Sequence, residues 1–209
     1  MSHVQVYEST LDTAMATITA LAPRYNHYFI STEFGGVVCR PMGSFRSTQD
    51  YHYQTLRSNV DLLELLQLTI TVADSQGHRP TSVPHTYTFN FKFDPQREMY
   101  QPENIEALVA SGVNIARAAQ EGIPRELFAE GLLCSGALSG VWVSAHAGYD
   151  FGFLLGLLSS RPLAPNYEAF AAQLEKSLGN YWDVKWHGAT DAWQWWSLRG
   201  EHKIFGLAL

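Results

Sequence analysis

The run FISTEFGG, Phe29 to Gly36, constrains this chain more than any other segment. It reads as a strand buried in a sheet, and side chains two apart on a strand share a face, so Ser31 and Glu33 point the same way. A carboxylate on the interior face of such a strand needs a cationic partner, and in a hydrolase that partner is commonly a divalent metal. Gly35 and Gly36 close the strand and, with Pro41 and Gly43, open a loop carrying Arg40 and Arg46, two candidates to meet phosphate beside the carboxylate.

Around that strand the pattern alternates between helix and strand. Ser9 is placed to cap a helix to about Leu21, with Leu11, Met15, Ile18 and Leu21 on one face and Pro23 beyond its end. Tyr51 to Leu63 reads as a helix. Leu65 to Ala73 and Tyr87 to Phe93 alternate apolar and polar residues, so they are expected to pair as an antiparallel hairpin, with Phe89, Phe91 and Phe93 in the core. Pro102 to Gly136 is helical with breaks at Gly112 and Gly122. Val141 to His146 is a further buried strand, and Tyr149-Asp150 opens the apolar helix behind it. The expected fold is therefore α/β, a mixed central sheet flanked by helices, in one domain over residues 1–209. Five tryptophans crowd the stretch from Trp182 to Trp196, where no clean period is visible.

Composition narrows the function. A formal charge of -6 argues against a broad basic groove and so against duplex DNA as a partner, while leaving room for a short single strand. The two cysteines, Cys39 and Cys134, imply no disulfide framework. No basic-then-apolar leader or membrane-length run is present, so an intracellular protein without a membrane partner is expected.

Asp150 is the second candidate acid. It follows a buried strand and sits where a helix begins, where unpaired amides and the helix dipole favour negative charge. Helix capping accounts for such a residue on its own. If the strand at 141–146 neighbours the strand at 27–34, both carboxylates reach the same sheet end and call for a cation. His146 is placed to orient Asp150 or to sit as a hydrogen-bonded core residue.

The segments STEFGGVVCRPMGSFRSTQDYHYQTLRSNVDLLELLQL, TFNFKFD, LVASGVN, FAEGLLCSG and HAGYDFGFLLGLL resemble, in order and spacing, the Caf/Pop family of poly(A) deadenylases. These are the RNase D-like, DEDD-type nuclease subunits of the Ccr-Not complex. The resemblance covers residues 4–185, and the remainder, 186–209, diverges. It implies an RNase H-like, RNase D-type exonuclease fold with an abbreviated C-terminal part. It also implies four acidic residues, two Mg²⁺ or Mn²⁺ ions, and 3′ to 5′ removal of 5′-AMP from single-stranded poly(A). Carried over by position, the second acid falls on Glu33 and the third on Asp150, while the first falls on Ser31 in place of the family's Asp. His187, Ala189 and Asp191 look similar to the family's closing His-Ala-Asp motif, which makes Asp191 the candidate fourth acid and sets His187 near the attacking water; one residue fewer separates them here.

Two functional readings follow from that resemblance. One is a metal-dependent poly(A) exoribonuclease, with Ser31, Glu33, Asp150 and Asp191 as the metal set. The other is an adaptor that keeps the fold and the partner surfaces without catalysis, favoured by Ser31 and the short C-terminal part. Either implies contacts with the Not scaffold and with a leucine-rich-repeat deadenylase subunit, in the cytoplasm and also the nucleus. The abbreviated C-terminal part is expected to leave apolar surface open on one side of the sheet.

Overall fold

A computed structural model describes residues 2–145 and 147–184. Its strands are β1 (His3–Val6), β2 (His27–Phe34), β3 (Leu65–Ala73), β4 (Thr86–Asn90), β5 (Val141–Ser144) and β6 (Asn180–Asp183). They form one mixed sheet in the order β1-β4-β3-β2-β5-β6. β3 runs antiparallel to β2 and β4, whereas β1 joins β4, β5 joins β2 and β6 joins β5 in parallel. The sequence LLQLTITVA explains the central position of β3. Leu68, Ile70 and Val72 are wholly buried, and Gln67, Thr69 and Thr71 between them turn to the other face.

The hairpin read from the sequence forms, with Leu68 opposite Phe89 and Ile70 opposite Tyr87. Its second strand starts at Thr86 and ends at Asn90, short of Phe93, because Phe91 bridges to Ile123. Gly122 permits that crossing: a Cβ there would lie 2.6 Å from the Lys92 backbone. Phe89, Phe91 and Phe93 are all buried, as expected.

The helices are α1 (Leu11–Leu21), α2 (Thr48–Leu62), α3 (Pro102–Ala110), α4 (Ile115–Glu121), α5 (Arg125–Cys134), α6 (Ala147–Ser159) and α7 (Tyr167–Leu178). The breaks expected at Gly112 and Gly122 separate α3, α4 and α5. Ser9 does not cap α1; it sits within a 3₁₀ turn, Glu8–Thr10, and Thr10 occupies the cap position. α2 begins ahead of Tyr51 because the Ser47 hydroxyl accepts from the Asp50 amide at 3.1 Å. The reading missed β1, whose four residues carry one buried side chain and depend on pairing with β4. It also missed α7, capped by Asn166 and buried through Phe170, Leu174 and Leu178.

The main core lies where α1, α2, α5, α6 and α7 meet one face of the sheet. α6 is nearly all apolar and buries Phe151, Phe153, Leu154, Leu155 and Leu157. Each such side chain contributes about 1.5–3 kcal/mol on full burial. Its start, in contact with β2 and β5, positions the candidate site.

Candidate active site

β2 lies between β3 and β5, so the segment expected to be a buried strand is central in the sheet. The orientation differs from expectation. Tyr28 and Ile30 face the core, whereas Ser31 and Glu33 are exposed on the opposite face. Alternation decides this: the tight packing on one face claims the even-numbered side chains, which leaves the odd-numbered ones outward. Glu33 is thus not on an interior-facing position.

The expected pairing of the strand at 141–146 with β2 holds, as β5, but β5 stops at Ser144, opposite Ile30. Ser31 to Phe34 therefore extend past its end, and the first turn of α6 fills the space. α6 starts at Ala147, so Asp150 lies within the first turn and not at the opening position. Asp150 is buried, with 5% of the residue exposed. Its Oδ1 accepts from the Thr32 hydroxyl at 2.5 Å and its Oδ2 from the Ser144 hydroxyl at 2.5 Å. Phe34 stacks on Tyr149 with ring centroids 4.9 Å apart, and packs against Phe153 at the same separation.

Glu33 and Asp150 thus flank Thr32 at the end of β2, and their charges interact. Partial desolvation lifts the Glu33 carboxyl above the usual carboxylate range, and the negative charge of Asp150 lifts it further. A divalent cation between the two would reverse the second effect. The donors offered by Ser31, Glu33 and Asp150 are all oxygens, which suits a hard cation such as Mg²⁺ or Mn²⁺. Among the described residues no three His, Cys, Asp or Glu are grouped so as to hold a metal ion. His187 and Asp191 lie outside the described residues, as do His146 and the tryptophans beyond Trp182.

The loop leaving β2 is anchored by side-chain amides that sequence reading did not single out. Asn59, fully buried on α2, accepts from the Val38 and Cys39 amides at 2.8 and 2.9 Å and donates to the Cys39 carbonyl at 2.7 Å. Asn104 donates to the Phe34 carbonyl at 2.7 Å, and Gln101 donates to the Val37 carbonyl at 2.6 Å. Gly36 has φ +88°, in the left-handed region open to glycine. The signal for such anchors was a polar residue on the apolar stripe of α2. Arg46 pairs with Asp50 at 3.5 Å, and Arg40 is exposed on the same loop.

The sheet face bearing Ser31 and Glu33 is polar at this end, and the abbreviated C-terminal part expected to leave apolar surface open lies outside the described residues. Ser31 aligns across it with Thr69, Thr88 and Gln5, and Glu33 with Gln67 and Asn90. Hydroxyl and amide pairs knit these rows, with Thr69 to Thr88 at 2.8 Å and Gln67 to Asn90 at 2.7 Å. Apolar side chains occur on that face at the other end, where Phe29, Val143 and Trp182 align across β2, β5 and β6.

Comparison with known proteins places this geometry. The CAF1 family ribonuclease pattern matches residues 6–125. Poly(A) ribonuclease POP2 of Saccharomyces cerevisiae is 40% identical over 182 residues, 86% of this chain and 42% of that protein. Poly(A) ribonuclease pop2 of Schizosaccharomyces pombe is 40% identical over 184 residues, 87% of this chain and 55% of that protein. The chain thus spans about half the length of these curated relatives. The solved structure of S. pombe Pop2p in its Mg²⁺- and Mn²⁺-bound form superposes with a TM-score of 0.88 and 38% identity, over 91% of this chain and 76% of that one. A structure of the yeast NOT1 MIF4G domain co-crystallized with CAF1 matches with a TM-score of 0.73 and 34% identity, over 87% of this chain and 68% of the matched one.

Proposed function

The chain belongs to the CAF1 family of ribonucleases, and from that premise we propose that it is a divalent-metal-dependent 3′ to 5′ exoribonuclease acting on single-stranded poly(A). The observation that carries this reading is the meeting of Asp150 with Thr32, the neighbour of Glu33, at the end of β2, which sets the two carboxylates in an all-oxygen setting where the charge of Asp150 adds to partial desolvation in raising the Glu33 carboxyl. Glu33 and Asp150 hold the cation, and Ser31 adds a hydroxyl on the Glu33 face. When bound, the cation supplies an activated water and neutralises charge on the scissile phosphodiester. Asp191 as a further ligand and His187 near the attacking water complete the proposal.

The similarity to Pop2 bound to Mg²⁺ and Mn²⁺ supports the choice of metal, and that to CAF1 with the NOT1 MIF4G domain supports a Not scaffold as partner in a Ccr-Not assembly. A leucine-rich-repeat deadenylase subunit as second partner, and a cytoplasmic and nuclear location, belong to the same proposal. The test is shortening of a 5′-labelled oligo(A) with Mg²⁺ or Mn²⁺. Wild-type protein is expected to release 5′-AMP, and a Glu33→Ala, Asp150→Ala variant is expected not to. Equal release from both would overturn the proposal.

A second reading is favoured by Ser31, which contributes a neutral hydroxyl where the family resemblance expects an acid. On that reading the chain is an adaptor. Binding to a Not MIF4G domain without oligo(A) shortening by the wild-type protein would support it.

A further inference from the structure

Thr32 is the residue that a search for paired acids steps over, because it lies between Ser31 and Glu33 and faces the other way. That orientation gives it a different partner. Its hydroxyl reaches across from β2 to Oδ1 of Asp150 on α6 at 2.5 Å, while Ser144, the last residue of β5, holds Oδ2 at 2.5 Å. β2, β5 and α6 thus meet at one carboxylate, Thr32 reaching it from 118 positions away.

We propose that Thr32 and Ser144 are positioning residues that fix the Asp150 carboxylate at the spacing from Glu33 needed to share a divalent cation. This inference rests on the metal-site reading above. Thr32 is bonded directly to Glu33 along the strand, so one hydrogen bond ties Asp150 to the residue adjoining its companion acid. Without a cation between them, two like-charged carboxylates repel. A carboxylate bound at one oxygen can swing about its Cβ–Cγ bond to lengthen that separation, and one bound at both oxygens cannot do so without breaking a bond to a charged acceptor. Asp150 is also buried, so water is poorly placed to replace either hydroxyl. The pair of hydroxyls therefore keeps the acids close at the moment when only repulsion acts between them.

A carboxylate oxygen has more than one acceptor site, so accepting one hydroxyl does not by itself prevent it from ligating a cation. Groups that hold a metal ligand in place in this way typically change metal affinity by about 10–100-fold when removed. Thr32 and Ser144 act through Asp150 and need not touch metal or RNA themselves.

The experiment uses the whole 209-residue chain and Mn²⁺ alone, without RNA, with free Mn²⁺ read by electron paramagnetic resonance. Thr32→Val keeps the shape and removes the hydroxyl, Ser144→Ala removes the second donor, Thr32→Ser restores the first, and Glu33→Gln reports on the metal site itself. Thr32→Val and Ser144→Ala are each expected to raise the Mn²⁺ dissociation constant about 10-fold or more, and Thr32→Ser is expected to stay within about 2-fold of wild type. Wild-type affinity in Thr32→Val and Ser144→Ala, alongside loss in Glu33→Gln, would overturn the positioning role and leave the metal site standing. Unchanged affinity in Glu33→Gln would overturn the metal site and this inference together. Should Thr32→Val fail to fold cooperatively, Ser144→Ala and the rescue by Thr32→Ser decide the question.

Discussion

Phe34 and Tyr149 stack with their ring centroids 4.9 Å apart, and each ring is the chain neighbour of a candidate acid, Glu33 before Phe34 and Asp150 after Tyr149. The contact fastens β2 to α6 beside the hydroxyl clamp on Asp150. A pair of carboxylates that repel one another is held together by an apolar contact on one side and by a hydrogen bond on the other.

Replacing Phe34 with Ala removes its contacts with both Tyr149 and Phe153. An aromatic pair is worth about 0.5–1.5 kcal/mol beyond burial, and with the lost apolar area the expected destabilisation is about 2–4 kcal/mol. Urea unfolding followed by fluorescence measures it. A midpoint equal to wild type would show that the rings merely touch.

Asn59→Ala leaves the Val38 and Cys39 amides and the Cys39 carbonyl without their side-chain partner. Buried polar groups left unsatisfied cost about 1–3 kcal/mol each, so a loss of at least about 2 kcal/mol is expected. Hydrogen exchange should also quicken at Val38 and Cys39, which separates release of this loop from general weakening.

The raised pKa of Glu33 sets a pH dependence. Its folded-state value lies above its unfolded value, so the ionised form opposes folding at neutral pH. That opposition is relieved as pH falls through the folded value and is absent once both states are protonated. Glu33→Gln is therefore expected to unfold at a higher temperature than wild type at pH 7.5 in a chelator, with the difference vanishing as pH approaches 4. A difference that grows toward low pH would contradict the sign.

Ser31→Asp adds a third carboxylate to the site, on the exposed face that Glu33 already occupies. In a chelator the added repulsion is expected to lower the melting temperature. With Mn²⁺ the order should reverse, since a ligand at 100 times its dissociation constant stabilises by about 2.7 kcal/mol and tighter binding raises that figure. The same sign of change under both conditions would place residue 31 outside the site.

Much of this molecule was legible in the order of its residues. The alternation in LLQLTITVA and YTFNFKF gave the hairpin, because a period of two is a local property that survives into the sheet. The glycines at 112 and 122 gave the helix breaks for the same local reason. FISTEFGG and HAGYDFGFLLGLL, with the other matching segments, pointed to the family. What periodicity could not give was the sign of each face. Whether Glu33 points to the core or away from it depends on which side the helices cover, and only the tertiary packing decides that. β1 and the anchor Asn59 were hidden because each is fixed by partners far along the chain. Thr32 shows the difference most directly. In sequence it is a spacer between Ser31 and Glu33; in the fold it grips an acid 118 positions away, because a strand turns every second side chain to the opposite face and that face meets α6.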